Sequence, residues 1–437
     1  MYRKRTIAFT IGIGLLLLMG QALAQGTVPL VWSIQAHTHS IASVSFAADG
    51  QSVVSSAGDE AKSWQASDGS LLQTFPDHVD GVIATDISPD GSYLAVGYIV
   101  SGYPPGGVMN LWDVAGETVQ ATYGGCHVAF SPAGDLIASG GGGVNRYVYL
   151  HRVVDGTEVG SYYNGPGYIT DVAFSPDGSL LAVANTNNTV RLWDVRSGGI
   201  ARTLSGHTDD VSCIAFSPDG LLLAGGGGGF DLPNDSSIKI WRIADGHLLQ
   251  NLEGHGIWVY TVAFHPGGQV LASSGRDSQT PYSASMRFWR IADAQLIQTY
   301  DGLATDLAYA PDGQSYIFGR SNGTLVLAAS VVTGVASDEP PDAGTSPARL
   351  KQNFPNPFNP VTVIRFELSV PNWIGLQVFA VDGRRIVSLV DEHMTAGNHE
   401  IVWDGRDSFG KRAASGTYFY QLDAGEYSET KRMVLMK

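Results

Sequence analysis

Cysteine is almost absent: Cys126 and Cys213 are the only two among 437 residues. A small scaffold held by disulfides is thereby excluded. Charge is scarce as well, at 15% of residues. The balance is acidic, with 26 Lys and Arg against 41 Asp and Glu and a net charge of −15. That balance argues against a phosphate-backbone partner, so no nucleic acid is expected. No long helical period occurs beyond the N-terminal segment. The one long apolar run, Ile7 to Met19, is too short to span a membrane comfortably. Glycine (54) and tyrosine (18) are plentiful, and apolar residues reach 44%. Such a composition suits many short strands joined by tight turns and does not suit disorder. The length implies two or three folding units.

The chain opens MYRKRTIAFTIGIGLLLLMGQALAQ. Arg3, Lys4 and Arg5 precede the apolar run, and Ala22-Leu23-Ala24 follows it. A positive start, a short apolar stretch and small residues before a cut site read as a cleaved secretory signal over residues 1–24. No Cys follows the cut, so no lipid anchor is expected there. The alternative is an uncleaved anchor.

Seven turns then recur: FAADG (46–50), ISPDG (87–91), FSPAG (130–134), FSPDG (174–178), FSPDG (216–220), FHPGG (264–268) and YAPDG (309–313), spaced 41 to 48 residues apart. Pro fixes one turn dihedral, Asp bonds back to the local backbone, and Gly accepts positive φ. An alternating strand precedes each turn and a second follows it. A third ends in AKSW, MNLW, YVYLH, VRLW, IKIW, MRFW or TLVLA, and a fourth lies beyond another turn. The period predicts seven units of four antiparallel strands. Cys126 and Cys213 fall in non-neighbouring units, so two buried free thiols are expected.

Turn, strand and Trp at one offset resemble the WD-repeat family over residues 29–335. Trp-Asp stands at Trp112-Asp113 and Trp193-Asp194; Trp64, Trp241 and Trp289 hold the same position, and His151 replaces it in the third repeat. His207 and His255 follow a Gly as in the family, and His37 and His78 fit without it. The third, fourth and seventh repeats lack that His. The resemblance implies a seven-bladed β-propeller. It also implies a structural hydrogen-bond network through His37, Ser55 or Ser56, Asp59 and Trp64 in the first repeat, through His207, Asp235 and Trp241 in the fifth, and through His255 and Trp289 in the sixth. Residues 30–39 resemble 248–256, so the N-terminal strand is expected to complete the seventh blade.

Enzymatic motifs fail on context. GRSNG (319–323) matches a nucleophile pattern, but TLVLAAS follows Ser321 where a helix is needed. GGGGV (140–144) and GGGGGF (225–230) lack the Lys and helix start of phosphate loops and read as flexible loops. His37 and His39 lack further metal ligands. No catalytic residue, metal or cofactor is expected. A ring of inward-facing acids or His would favour the alternative, an enzyme with its site in the central channel.

From turn Gly to the Trp position the fourth repeat takes 15 residues, whereas the second, fifth and sixth each take 21. The excess falls between strands two and three, on one face. It carries Tyr98, Tyr103, Phe230 and Tyr282, and the loops leading into blades four and six add Tyr163, Tyr168 and Trp258. Aromatics among small flexible residues resemble a partner-binding surface, since they bury large area at low entropy cost. The partner is a protein or surface ligand of unknown identity. The bland reading is drift in unconstrained loops.

Residues 336–352 are polar, acidic and Pro-rich, as a linker is. NFPNPFNP (353–360) then precedes alternating segments that predict a small immunoglobulin-like β-sandwich over 353–437. Asn356 and Pro357 in that motif, Gly397-x-His399-x-Ile-x-Trp403-Asp-Gly405, Ala414-Ser415-Gly416-Thr-Tyr418 and the run from Lys431 are similar to the C-terminal sorting domain of the bacterial type IX secretion system. The resemblance implies export through the periplasm and outer membrane, with the secretion machinery as a partner. The same sandwich resembles that of flagellar hook-cap proteins, and an ordinary carbohydrate- or surface-binding sandwich is the alternative. The whole reads as an exported all-β interaction scaffold at the cell surface or outside the cell, with a propeller enzyme or a structural surface component as the alternatives.

Overall fold

The structure is a computed structural model. It describes residues 28–58, 60–76, 81–100, 106–142, 146–228, 235–277, 284–302, 304–330, 348–351, 353, 360–380, 384–425 and 427–435. Among them the long elements are all strands. Seven four-stranded antiparallel sheets form the blades of a propeller. The fourth blade is representative: Ile169–Phe174, Leu180–Asn185, Val190–Asp194 and Ile200–Leu204 pair in chain order.

The repeated turn holds each blade's first hairpin. At 174–178 the Ser175 hydroxyl donates to Asp177 (2.6 Å) and accepts from the Leu180 amide (2.9 Å), while the Gly178 amide reaches the Ser175 carbonyl (2.8 Å). Gly178 has φ +71°, which only glycine adopts cheaply.

The ring closes through the N-terminus. Leu30–Gln35 is the outermost strand of the seventh blade, pairing antiparallel with Thr324–Ala329 from Leu30 opposite Ala328 to Gln35 opposite Thr324. Trp32 Nε1 also donates to the Ala66 carbonyl of blade one at 2.8 Å. First strands of consecutive blades touch all the way round, including Asp306–Tyr309 against Ile41–Phe46. Apolar side chains fuse neighbouring blades: Val54, Ala61 and Phe75 of blade one pack with Val82, Leu94 and Trp112 of blade two, and Ile317 and Leu325 of blade seven pack with Ile41, Val53 and Trp64 of blade one. Burying both faces of each sheet stabilises the ring by about 25 cal/mol per Å² of apolar surface.

Residues 348–435 form the sandwich. One sheet holds Ala348–Leu350, Thr362–Leu368 and Gly397–Trp403; the other holds Arg385–Met394, Asn372–Ala380, Gly416–Ala424 and Tyr427–Leu435. Its core includes Ile364, Phe366, Leu376, Trp403 and Tyr420. The expected linker boundary at 352 therefore lies too late: Ala348 and Leu350 are buried strand residues here. Asn353, first residue of NFPNPFNP, is bound into the sandwich. Its amide donates to the Tyr420 hydroxyl (2.8 Å) and its side chain to Thr362 (2.9 Å).

Two other sequence expectations change. Gly225, Gly226 and Gly227 are strand residues within Leu222–Gly227, not a flexible loop. A Cβ on each would collide in turn with Trp241, with Cys213 and Val259, and with the Asp235 carbonyl and His207. Tyr98 is not on the surface. It lies in Tyr93–Val100 and is buried, because the second blade's extra residues prolong the hairpin as far as Val100 opposite Gly106. Cys126 and Cys213 are separate buried thiols.

Candidate functional site: the upper blade ends

The loops between strands two and three and those leading into each blade share one face, called upper here. Beneath it, polar networks pin the third strands, and no two are alike. In blade six Ser273 is the hub: its hydroxyl meets His255 Nε2 and Trp289 Nε1, each at 2.9 Å, while His255 Nδ1 meets Asp277 at 2.9 Å. Burial lowers the His255 pKa despite that carboxylate, so the ring is held neutral. Blade one repeats the hub with Ser55, at 2.8 Å from both His37 Nε2 and Trp64 Nε1, but His37 Nδ1 meets Glu60 (3.2 Å). Asp59 lies outside the described residues.

Blade five has Gly225 where those blades have Ser. His207 Nε2 turns to the Gly225 carbonyl (3.1 Å), and Trp241 Nε1 donates to the Ser205 carbonyl (2.9 Å). His207 Nδ1 still meets Asp235 (2.9 Å). Burial pushes the Asp235 carboxyl up, but hydrogen bonds from His207, Ser237 and the Thr208 amide hold it well below the usual carboxylate range. In blade three His151, in the Trp position, stacks on Tyr123 at 3.9 Å. In blades one, five and six the polar atoms of these buried groups are committed to one another, whereas in blade three His151 Nδ1 and the Tyr123 hydroxyl are buried without a partner.

The partner-surface candidates fare differently. Tyr163 and Tyr168 are exposed, at 49% and 50%. Trp258 is partly buried and stacks parallel to Tyr260 at 6.0 Å. Tyr103, Phe230 and Tyr282 lie outside the described residues. Sequence reasoning missed Tyr147. It is 43% exposed and lies opposite Tyr163 across the sheet, with ring centres 5.3 Å apart. Only the pairing register, which places residue 147 beside 163, could have shown it.

Sequence reasoning raised the channel but named no residue in it. Seven residues before each turn Gly stand Ser43, Ala84, His127, Asp171, Cys213, Thr261 and Asp306. Asp171 accepts from the Val172 and Ile214 amides, both at 2.8 Å, and burial pushes its carboxyl up to about 7. Asp306 accepts from the Leu307 amide, the Thr261 hydroxyl and, across the closing joint, the Val44 amide at 2.8 Å. Asp86, two residues further along its own strand, accepts from the Ile87 and Phe130 amides and is raised by burial to about 6. Burial lowers His127 to about 4. These are the inward acids that would favour an enzyme, yet each carboxylate ties one blade to the next with both oxygens. Among the described residues no group of three or more His, Cys, Asp or Glu is placed to hold a metal ion. Ser321 sits in a turn between two strands.

In the sandwich, Trp403 Nε1 donates to the Arg406 carbonyl (2.9 Å) and its ring meets Tyr418 edge-on at 5.5 Å. Tyr418 donates to the Ala414 carbonyl (2.7 Å). Gly397 and Gly416 have φ +133° and +149°, and Lys431 pairs with Glu429 (2.9 Å). Asn356 and Pro357 lie outside the described residues.

Comparison with known proteins adds to this geometry. The family "WD domain, G-beta repeat" matches residues 29–64, 69–113, 198–242 and 246–280, and the "Anaphase-promoting complex subunit 4 WD40 domain" matches 128–219. A WD repeat-containing protein, SL1-17, of Schistosoma mansoni is 32% identical over 168 residues, 37% of this chain and 52% of the relative. A ribosome biogenesis protein WDR12 homolog of Nematostella vectensis is 34% identical over 127 residues, 27% of this chain and 30% of the relative. An uncharacterized WD repeat-containing protein of Synechocystis is 29% identical over 145 residues, 32% of this chain and 39% of the relative. The chain thus spans about half the length of these relatives, or less. Repeat matches over part of the chain, laid on seven four-stranded sheets closed into a ring, support a WD-repeat β-propeller over residues 30–329.

Proposed function

We propose that this propeller is a protein-interaction scaffold, exported to the cell surface or beyond, and that the C-terminal sandwich directs that export by the type IX route. One observation carries the scaffold reading. The upper face offers exposed aromatics, Tyr147, Tyr163 and Tyr168, while Asp86, Asp171 and Asp306 and the His of blades one, five and six are engaged in holding strands together. Rigid aromatic rings on a closed ring of sheets are suited to binding and bring no reacting group with them. The export reading rests on the sequence features of residues 1–24 and 353–437.

Two experiments test the two halves. In cross-linked pull-downs from the native host, changing Tyr147, Tyr163 and Tyr168 together to Ser abolishes partner capture with the melting temperature unchanged. Retained capture overturns the surface assignment. Intact mass of the native protein, taken separately from cells and medium, shows an exported species lacking both the first ~25 residues, a signal-peptide length, and the sandwich. A mature form retaining Lys437 overturns the sorting role.

A further inference from the structure

The fourth blade has lost its network, and what remains is an unneutralised cation. Counted from the turn Gly, Val183 stands where blade six has Ser273, and Asn187 where it has Asp277. Counted back from the same turn Gly, Gly165 stands where His255 does. Trp193 is left with no hydrogen bond on its indole N–H and stacks on Tyr162 at 5.0 Å.

Arg191 is the residue this loss strands. Three sister blades carry a cation two residues before Trp, and each has a carboxylate: Lys62 with Glu60 (2.6 Å), Lys239 with Asp235 (3.3 Å) and Arg287 with Asp277 (3.1 Å). In blade four Asn187 stands at the offset of blade six's Asp277, and its Oδ1 accepts from Thr189 (2.5 Å). Arg191 makes no ion pair among the described residues, and its Nε–H is buried with no acceptor. Its guanidinium lies under Gly165, where a Cβ would fall 2.5 Å from one nitrogen. Next to Gly165, Asn164 is fully buried, and neither atom of its side-chain amide has a partner. Exposed Tyr163 and Tyr168 bracket this loop. Orphaned polar atoms and a partly buried cation are each unfavourable without a partner.

We infer that this end of the fourth blade binds the carboxylate of an acidic peptide, with Arg191 taking the place of host and the ligand supplying the acid that the other blades carry internally. The sister blades set the preference for carboxylate, because each of their three equivalent cations is paired with one, supplied from a different place in the loop. Planar, bidentate pairing suits guanidinium. The tyrosines add stacking surface that only a peptide long enough to reach them uses. This inference rests on the scaffold reading above and names the partner's chemistry.

The probe is acetyl-Gly-Glu-Gly-amide, titrated calorimetrically into the full chain against its Gln counterpart, acetate and inorganic phosphate. The Glu peptide is expected to bind at least about tenfold more tightly than the other three, the size of a charge-assisted hydrogen bond. Arg191→Met abolishes that discrimination, and Arg196→Met, on the opposite face, does not. Arg191→Met also keeps or raises the melting temperature, where a purely structural arginine lowers it. Asn187→Asp restores the internal acid, raises the melting temperature and excludes the peptide. Equal binding of Glu and Gln peptides, equal binding of acetate or phosphate, or peptide binding that survives Asn187→Asp overturns the inference. The tripeptide needs no natural partner, so its failure leaves the pull-down result standing, and a failed pull-down leaves the tripeptide result standing.

Discussion

Restoring the family's Ser in blade five is expected to destabilise it. Replacing an odd residue by the one its sister repeats carry commonly stabilises a protein by about 0.5–2 kcal/mol. Gly225→Ser looks like such a change, because Ser55 and Ser273 occupy that place in blades one and six and bind both Trp and His. Here the space is taken. A Cβ on Gly225 falls 2.9 Å from Trp241 Cζ3, 3.1 Å from Cη2 and 3.3 Å from Val211. Trp241 is 1% exposed and anchored by its N–H to the Ser205 carbonyl, so it has no free direction in which to give way. Overpacking of this kind costs about 1–3 kcal/mol. Set against it, one new hydroxyl hydrogen bond contributes about 1 kcal/mol. The net is a loss of roughly 0–2 kcal/mol, equivalent to a fall of a few degrees in melting temperature. Urea and thermal unfolding followed by tryptophan fluorescence measure it. A rise in stability, with the indole N–H transferred from Ser205 to the new hydroxyl, refutes the reasoning and shows that Trp241 swings as freely as a surface side chain.

Three further outcomes follow from the same geometry. Ser273→Ala strands both Trp289 Nε1 and His255 Nε2 and is expected to cost roughly 2–6 kcal/mol of stability, at about 1–3 kcal/mol per buried orphan, read from the urea midpoint. Burial raises Asp171 from 3.8 to about 7, so the folded chain binds a proton that the unfolded chain releases. Its contribution therefore grows as pH falls from 8 towards 4, and the stability of the parent relative to Asp171→Asn rises over that range. The comparison with the variant is needed because buried His37, His127 and His255, all lowered, work in the opposite sense below pH 6.5; a flat difference between parent and variant sinks the assignment. Tyr420→Phe removes the acceptor of the buried Asn353 amide and the donor to the Lys351 carbonyl, costing the sandwich about 1–3 kcal/mol in thermal unfolding, and an unchanged midpoint refutes the anchoring role.

The architecture was legible because a seven-fold signal averages out local noise. Turn, Trp and the half-repeat at 30–39 each made a separate statement about the ring. The losses came where one-dimensional counting has no access to pairing. The 21-residue interval of blade two says that residues are added, not whether they loop out, and the hairpin to Val100 absorbed Tyr98. A run of glycines reads as a loop until tertiary neighbours are known; Gly225 to Gly227 are glycines because Trp241, Val259 and His207 leave room for nothing else. Tyr147 became part of a surface only through its register with Tyr163. Arg191 was within reach of counting alone, since Asn187 stands at the offset of blade six's Asp277, but its isolation needed the coordinates.

Leu30–Gln35 sets an order of assembly. Gln35 pairs with Thr324, so the two partners are 289 positions apart (324 less 35), and joining ends so distant costs roughly 5 kcal/mol of chain entropy. Six blades are composed of consecutive strands, whereas the seventh waits for the last of them. A chain emerging N-terminus first thus carries an unfastened strand through synthesis and any passage through a pore. Until it snaps into place, Thr324–Ala329 remains an open edge to which a second copy's first strand can bind instead. The clasp that makes the ring durable is also the point at which two rings can exchange strands.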